Sequence, residues 1–144
     1  LADFWSVVLR VMVGIYWLYF GLGKLNGCSW VRGLIEEASM SNPVPLYKEL
    51  LRAVVLPNWE LVTILQTVLE ILVGIGLVLG ALTRVCAGLG VLLAVNLTLA
   101  FAFSAGDFGL IFWFYSLAIL VNSTALVQNS GKIIGIDLLF SRRS

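Results

Sequence analysis

Four stretches of the chain are apolar for about the length that crosses a bilayer core, roughly 20 residues in a helix: 4–23, 61–80, 85–104 and 108–127. Backbone amides in hydrocarbon have no water to bond, so each stretch is expected to be helical in spite of its Val, Ile and Phe residues. None shows the period-2 alternation of a transmembrane barrel strand. The first stretch is long for a signal peptide, ends in Gly-Leu-Gly-Lys and lacks a small-residue cleavage pattern, so it is expected to stay in the mature chain.

The polar segment 24–60 has a different period. Trp30, Val31, Leu34, Ile35 and Ala38 recur at helical spacing with Arg32, Glu36 and Glu37 opposite them. Beyond Pro45, the series Leu46, Leu50, Val54 and the neighbouring series Tyr47, Leu51, Val55 do the same, with Lys48, Glu49 and Arg52 on the wet side. Pro43 and Pro45 start this second helix and Pro57 stops it, because proline is tolerated in a first turn and not beyond it. Two short amphipathic helices at the membrane interface follow, their apolar faces covered by lipid, by the chain itself or by a partner. The connections 81–84 and 105–107 are tight, which makes consecutive spans antiparallel neighbours. The fold predicted is all-α: one integral membrane four-helix bundle over residues 1–144, two amphipathic helices between its first two spans, and an interfacial tail at 128–144 anchored by Arg142 and Arg143.

Composition agrees, with 60% hydrophobic residues, 12% charged residues and a mean hydropathy of +1.02. The lipid bilayer is therefore the first partner. A net charge of +1 leaves no basic surface for nucleic acid. Arg84, Lys132, Arg142 and Arg143 fall on one side and Lys24, Arg32, Lys48 and Arg52 on the other. Weighting short connections and tails then places both termini in the cytoplasm.

Within the spans, Arg10 and Glu70 are the residues to examine, because charge at membrane depth is costly unless it meets a partner or water. Counting from the span ends puts them within reach of one another, so a structural ion pair is feasible. Alternatively Glu70 relays protons or holds a ligand's hydroxyl or ring carbonyl, with Gln66 one turn away and Asn96 and Asn122 as further polar groups. Arg10 could also snorkel alone. Gly14 and Gly21, and the GxxxG pair Gly76 and Gly80, mark close helix packing. Histidine is absent and there are two cysteines, so neither haem nor a metal site is expected. Cys28 and Cys86 flank the second span on opposite membrane faces and cannot pair; both read as packing residues, with Cys28 the more accessible thiol. The sequons at Asn96 and Asn122 lie inside spans, where glycosylation is not expected.

Leu9-Arg10, the run Gly21-Leu22-Gly23-Lys24-Leu25, Ser29-Trp30 and Val54-Val55-Leu56-Pro57 come first in a recognisable order. Glu70-Ile71-Leu72-Val73-Gly74, Gly80-Ala81-Leu82-Thr83-Arg84, Asn96 and Gly135-Ile136-Asp137 complete it. Over nearly its whole length the chain thus resembles the DoxX/DoxD family of small four-helix membrane proteins. DoxD-like members are the membrane subunit of thiosulfate:quinone oxidoreductases in sulfur-oxidising archaea. The resemblance implies an integral membrane subunit of a quinone-linked oxidoreductase system in a prokaryotic cell membrane, with a quinone as cofactor. On that reading Arg10 or Arg84 and Lys24 hold an anion near a membrane face, and Trp30, Trp59 or Trp113 flank the quinone ring; Trp30 and Trp59 equally suit an aromatic belt. The residues supply no ligand set for an electron carrier. A second reading therefore stands: a noncatalytic subunit of a larger membrane complex, meeting other subunits or a second copy through its apolar faces.

Overall fold

The four apolar stretches become α1 (Ala2–Leu25), α4 (Trp59–Leu79), α5 (Thr83–Phe101) and α6 (Phe108–Gln128) in a computed structural model, which describes residues 1–103, 108–128 and 130–141. All four are long and apolar enough to cross a membrane. No strand occurs among the described residues. The predicted end of the third span at Ser104, the connection 105–107 and the anchors Arg142 and Arg143 lie outside them.

α1 packs most extensively on α4 and α5 on α6. Glycine sets the antiparallel register of the first pair. A Cβ added at Gly14 would stand 2.9 Å from the Gly74 carbonyl and the Val78 amide, and one at Gly21 would stand 2.8 Å from Ile71 and 3.3 Å from Glu70. Van der Waals packing drives association in lipid, so this close backbone approach is what holds the pair. Val13, Trp17, Val73, Leu77, Ala87, Leu93, Ala94, Ala118 and Ala125 form the core beside it. The indole N–H of Trp17 crosses that core to donate to Asn122 Oδ1 at 2.9 Å. Leu110, Trp113, Leu117 and Leu120 of α6 face outward, as lipid allows.

The polar segment forms α2 (Ser29–Ser41) and α3 (Pro45–Leu50), the latter with proline in its first turn. One continuous second helix was expected. Instead the chain widens into a π turn at Leu51–Val55, where the Leu56 amide donates to the Leu51 carbonyl at 2.8 Å. The wide turn seats Leu51 on Ala38 and Ala100, with Tyr47 and Val55 against the same cluster, while Leu46 and Val54 face out. These helices therefore roof one end of the bundle. Asn42 fixes the roof: its amide donates to the carbonyls of Leu99 and Ala100 at 2.7 and 3.2 Å, satisfying the last turn of α5.

At the other end α4 stops because Gly80 takes a left-handed φ of 67°, and the amides of Gly80 and Ala81 fold back onto the carbonyls of Leu77 and Gly76. Leu82 follows at φ 48°. That backbone region costs a non-glycine residue about 1–2 kcal/mol. The tail holds it in place. After a 3₁₀ turn at Ser130–Lys132 comes α7 (Ile136–Ser141), and Asp137 accepts from the amides of Leu82 and Thr83 at 2.7 and 2.9 Å while donating its own amide to the Gly80 carbonyl. The described tail is thus pinned to the α4–α5 turn, with Ser130 and Gly131 buried, where its mixed pattern suggested a strip along the surface.

Candidate functional site

The roofed end encloses a cavity of about 260 Å³. α1 contributes Tyr16, Trp17, Phe20 and Lys24, and α4 contributes Thr63, Gln66 and Glu70; Trp30, Tyr47, Asn96, Phe101, Phe114 and Tyr115 complete its polar and aromatic wall. Tyr16, Phe20 and Phe114 pack in tilted and T-shaped pairs with ring centroids 5.0 to 6.1 Å apart, so one side of the cavity is a cluster of aromatic rings.

Its chemistry centres on Glu70, which is 1% exposed. Lys24 Nζ donates to both carboxylate oxygens at 2.6 and 2.7 Å, and Gln66 Nε2 adds a third bond at 3.1 Å. A lysine in the last turn of a membrane helix ordinarily reaches out to the headgroups. Here the chain turns inward and its side chain is only 10% exposed. The gain is the pairing of a carboxylate that would otherwise lie bare at membrane depth. Nearer the membrane face, Tyr47 donates its hydroxyl to Asn96 Oδ1, and burial pushes the Tyr47 phenol above its ordinary pKa and keeps it a neutral donor. Thr63 lies one turn before Gln66 in the cavity wall, and its buried hydroxyl has no partner.

The ion pair that the sequence made feasible between Arg10 and Glu70 does not form; Glu70 pairs with Lys24 instead. Gly21 faces Glu70 and Arg10 faces Gly80, so the two charges sit ten residues apart along α4, about 15 Å. Counting from helix ends missed this because close glycine contacts, not matched ends, set the register. A signal was present: Gly14, Gly21 and Lys24 follow at spacings of seven and three, one stripe of α1, so the residue aligned with Glu70 was Lys24.

Lys24, Gln66, Glu70 and Asn96 come together at the cavity, whereas Arg10 and Arg84 stand at the opposite end. Gly76 faces Cys86 and the Ala81 carbonyl, and Gly80 faces Arg10. Of the tryptophans proposed to flank a ring, Trp30 lines the cavity and Trp59 and Trp113 do not; Trp17, which sequence reasoning passed over, does. Cys28 and Cys86 are both free.

A family model, DoxX, matches residues 6–104, which include Lys24, Tyr47, Thr63, Gln66, Glu70 and Asn96. The chain belongs to the DoxX family. It is accordingly an integral membrane protein, its four long apolar helices in keeping with a membrane-associated family. No curated protein and no solved structure matches it. In this DoxX chain the polar residues of the cavity fall within the matched stretch, while Phe114 and Tyr115 enter from α6, beyond it.

Proposed function

We propose that the chain is the membrane subunit of a quinone-linked oxidoreductase system of the thiosulfate:quinone type, with the quinone head held in the roofed cavity. The observation that supports this reading is the Lys24–Glu70 pair set into an otherwise aromatic and aliphatic pocket. Binding sites for small amphipathic rings have this make-up: apolar walls and a few convergent polar groups. The volume suits one ring more than a ring with its prenyl tail, which would leave between the roof helices toward lipid. Thr63 provides an independent test of fit, since a buried hydroxyl without a partner in such a wall is a group that a ligand oxygen can satisfy.

When bound, a quinone supplies the acceptor for two electrons and two protons. The chain's own contribution is to place it. Tyr16, Phe20 and Phe114, inclined to one another by 44° to 68°, offer aromatic faces and edges to a ring, and Lys24 Nζ has a proton to donate toward a ring oxygen. Gln66 keeps the Glu70 carboxylate oriented, and Glu70 is the group placed to take up a proton and pass it on toward the ring side of the pocket. The roof of α2 and α3 limits water. A partner subunit handles the sulfur substrate.

Trp17 and Trp30 line the pocket, so intrinsic fluorescence reads its occupancy. In lipid nanodiscs, a short-chain benzoquinone should quench that fluorescence saturably, and Glu70→Gln should weaken the titration with helix content unchanged. Unsaturable quenching that is indifferent to Glu70→Gln and Lys24→Met would favour the noncatalytic accessory subunit instead.

A further inference from the structure

At the end of the bundle away from the cavity, buried polar groups go unpaired. Among the described residues, six buried side-chain nitrogen or oxygen atoms have no hydrogen-bond partner, and five belong to this end: Ser6 Oγ, Arg10 Nε, Arg10 Nη1, Thr83 Oγ1 and Ser130 Oγ. They share one neighbourhood. Ser6 and Arg10 are one turn apart on α1, which packs against Ser130–Lys132. Arg10 Nη1 fills the space beside the bare Cα atoms of Gly80 and Gly135, and Thr83 Oγ1 that beside Gly131. Arg10 is 2% exposed, and Thr83 and Ser130 are fully buried.

Every one of these five atoms can donate a hydrogen bond. The carboxylate among them, Asp137, already accepts from the amides of Leu82 and Thr83. The Thr83 hydroxyl sits against that carboxylate, so the donors left wanting an acceptor are those of Ser6, Arg10 and Ser130. A buried guanidinium with unmet donors is costly in any medium and more so at membrane depth. Charge favours an anion too: Arg84 and Lys132, the exposed neighbours of Thr83 and Gly131, join Arg10 against Asp137 here and Asp3 in the first turn of α1.

We propose that this donor-rich cluster binds a small free oxyanion, with Arg10, Ser6 and Ser130 as its principal contacts. The oxygens of such an ion accept several N–H and O–H groups at once, which is the acceptor capacity the cluster lacks. The guanidinium is closed in by Gly80, Gly135 and the 3₁₀ turn. A phosphate still attached to its lipid does not reach it, whereas a free ion of a few atoms enters on a local opening of the tail. The proposal does not depend on what occupies the cavity.

The test is a thermal-unfolding titration of the whole purified chain, delipidated in detergent, with sodium sulfate and separately with inorganic phosphate, against chloride at matched ionic strength. A saturable rise in Tm is expected from one or both oxyanions and not from chloride. Arg10→Lys should abolish it. Ser6→Ala and Ser130→Ala delete side-chain hydroxyls that bond nothing among the described residues, so both should fold, and each should raise the titration midpoint about 5- to 10-fold. Stability that follows ionic strength alone in the unsubstituted chain overturns the proposal. So do unchanged midpoints in both serine variants, the result expected if ordered water fills the cluster.

Discussion

The two ends of this bundle deal with buried charge in opposite ways. Around the cavity, Lys24 gives both its short bonds to Glu70 and the charges cancel locally. Around the α4–α5 turn, Arg10 is more deeply buried than Lys24, yet two of its nitrogens bond nothing among the described residues. A single close-packed pair of helices carries both arrangements, which shows that the Gly14–Gly74 crossing leaves charges at its two ends free to serve different purposes. At one end the buried charge is satisfied by its own chain and wrapped in aromatic rings. The other holds donors in reserve.

The sharpest way to break this contrast is to remove one charge from each end. Lys24→Met leaves Glu70 a buried carboxylate without its countercharge, held by Gln66 alone, and should cost about 3–5 kcal/mol, seen as a large loss of Tm. Adding Glu70→Met should restore most of it, because a buried pair replaced on both sides by apolar groups is close to neutral. Arg10→Met removes a charge whose unpaired nitrogens lose no bond, and Asp137 keeps its two amide donors, so its effect on Tm should be clearly smaller. Equal losses for Lys24→Met and Arg10→Met would erase the distinction between the ends.

A smaller effect is expected between the ends. Asn122 accepts from Trp17 and donates to the Ala118 carbonyl at 2.8 Å, and Gly90 leaves room for it. Asn122→Leu orphans the indole N–H in the core and should cost about 1–3 kcal/mol. Thermal unfolding checks this, and a loss close to that of Lys24→Met would mean the ion pair is not the dominant buried polar contact.

Asp137 comes next. Burial opposes its ionisation, but the amides of Thr83 and Leu82 and the Arg10 charge prevail and hold its carboxyl below the ordinary 3.8. A depressed folded value means the unfolded chain binds the proton more readily. The stabilisation is therefore complete above about pH 4 and is lost as pH falls through the lower folded value. Asp137→Asn, which also weakens the cap on α5 and the support of Leu82, should cost roughly 1 kcal/mol at neutral pH. The gap between the variant and the parent chain should narrow on acidification below pH 4, as followed by acid unfolding of both.

How much of this was legible before any coordinates differs from feature to feature. The four spans and both amphipathic helices were readable because hydropathy over about 20 residues, and a 3.6-residue period over ten, are local properties. Glu70 and Arg10 stood out for the same reason, as single charges in long apolar runs. Partner choice was not local. It depended on the α1–α4 register, set by two glycines at which the helices touch, and misjudging that offset by a few turns exchanged Lys24 for Arg10. The π turn at Leu51–Val55 and the Asn42 cap on α5 were hidden because each answers to a contact made more than 40 residues away. Asp137 was seen only as part of Gly135-Ile136-Asp137, since its role as a cap appears when the tail is folded back on the turn.

The smallest expected effect on stability is also the most informative about the cavity end. Thr63 is 4% exposed and its hydroxyl bonds nothing among the described residues, so Thr63→Val, nearly the same shape, should leave the unfolding free energy within about 0.5 kcal/mol of the parent or raise it slightly. A threonine hydroxyl that served only the fold would instead show a penalty. If the cavity reads ring oxygens, the same substitution should weaken a benzoquinone carrying two opposed oxygens several-fold, and leave a phenol of equal bulk, with one oxygen for Lys24 and Glu70, nearly unaffected. Equal weakening of both would place Thr63 outside ligand recognition and assign its hydroxyl to ordered water. A stable chain that discriminates between the two would extend the paired end of the bundle by one residue toward the membrane face.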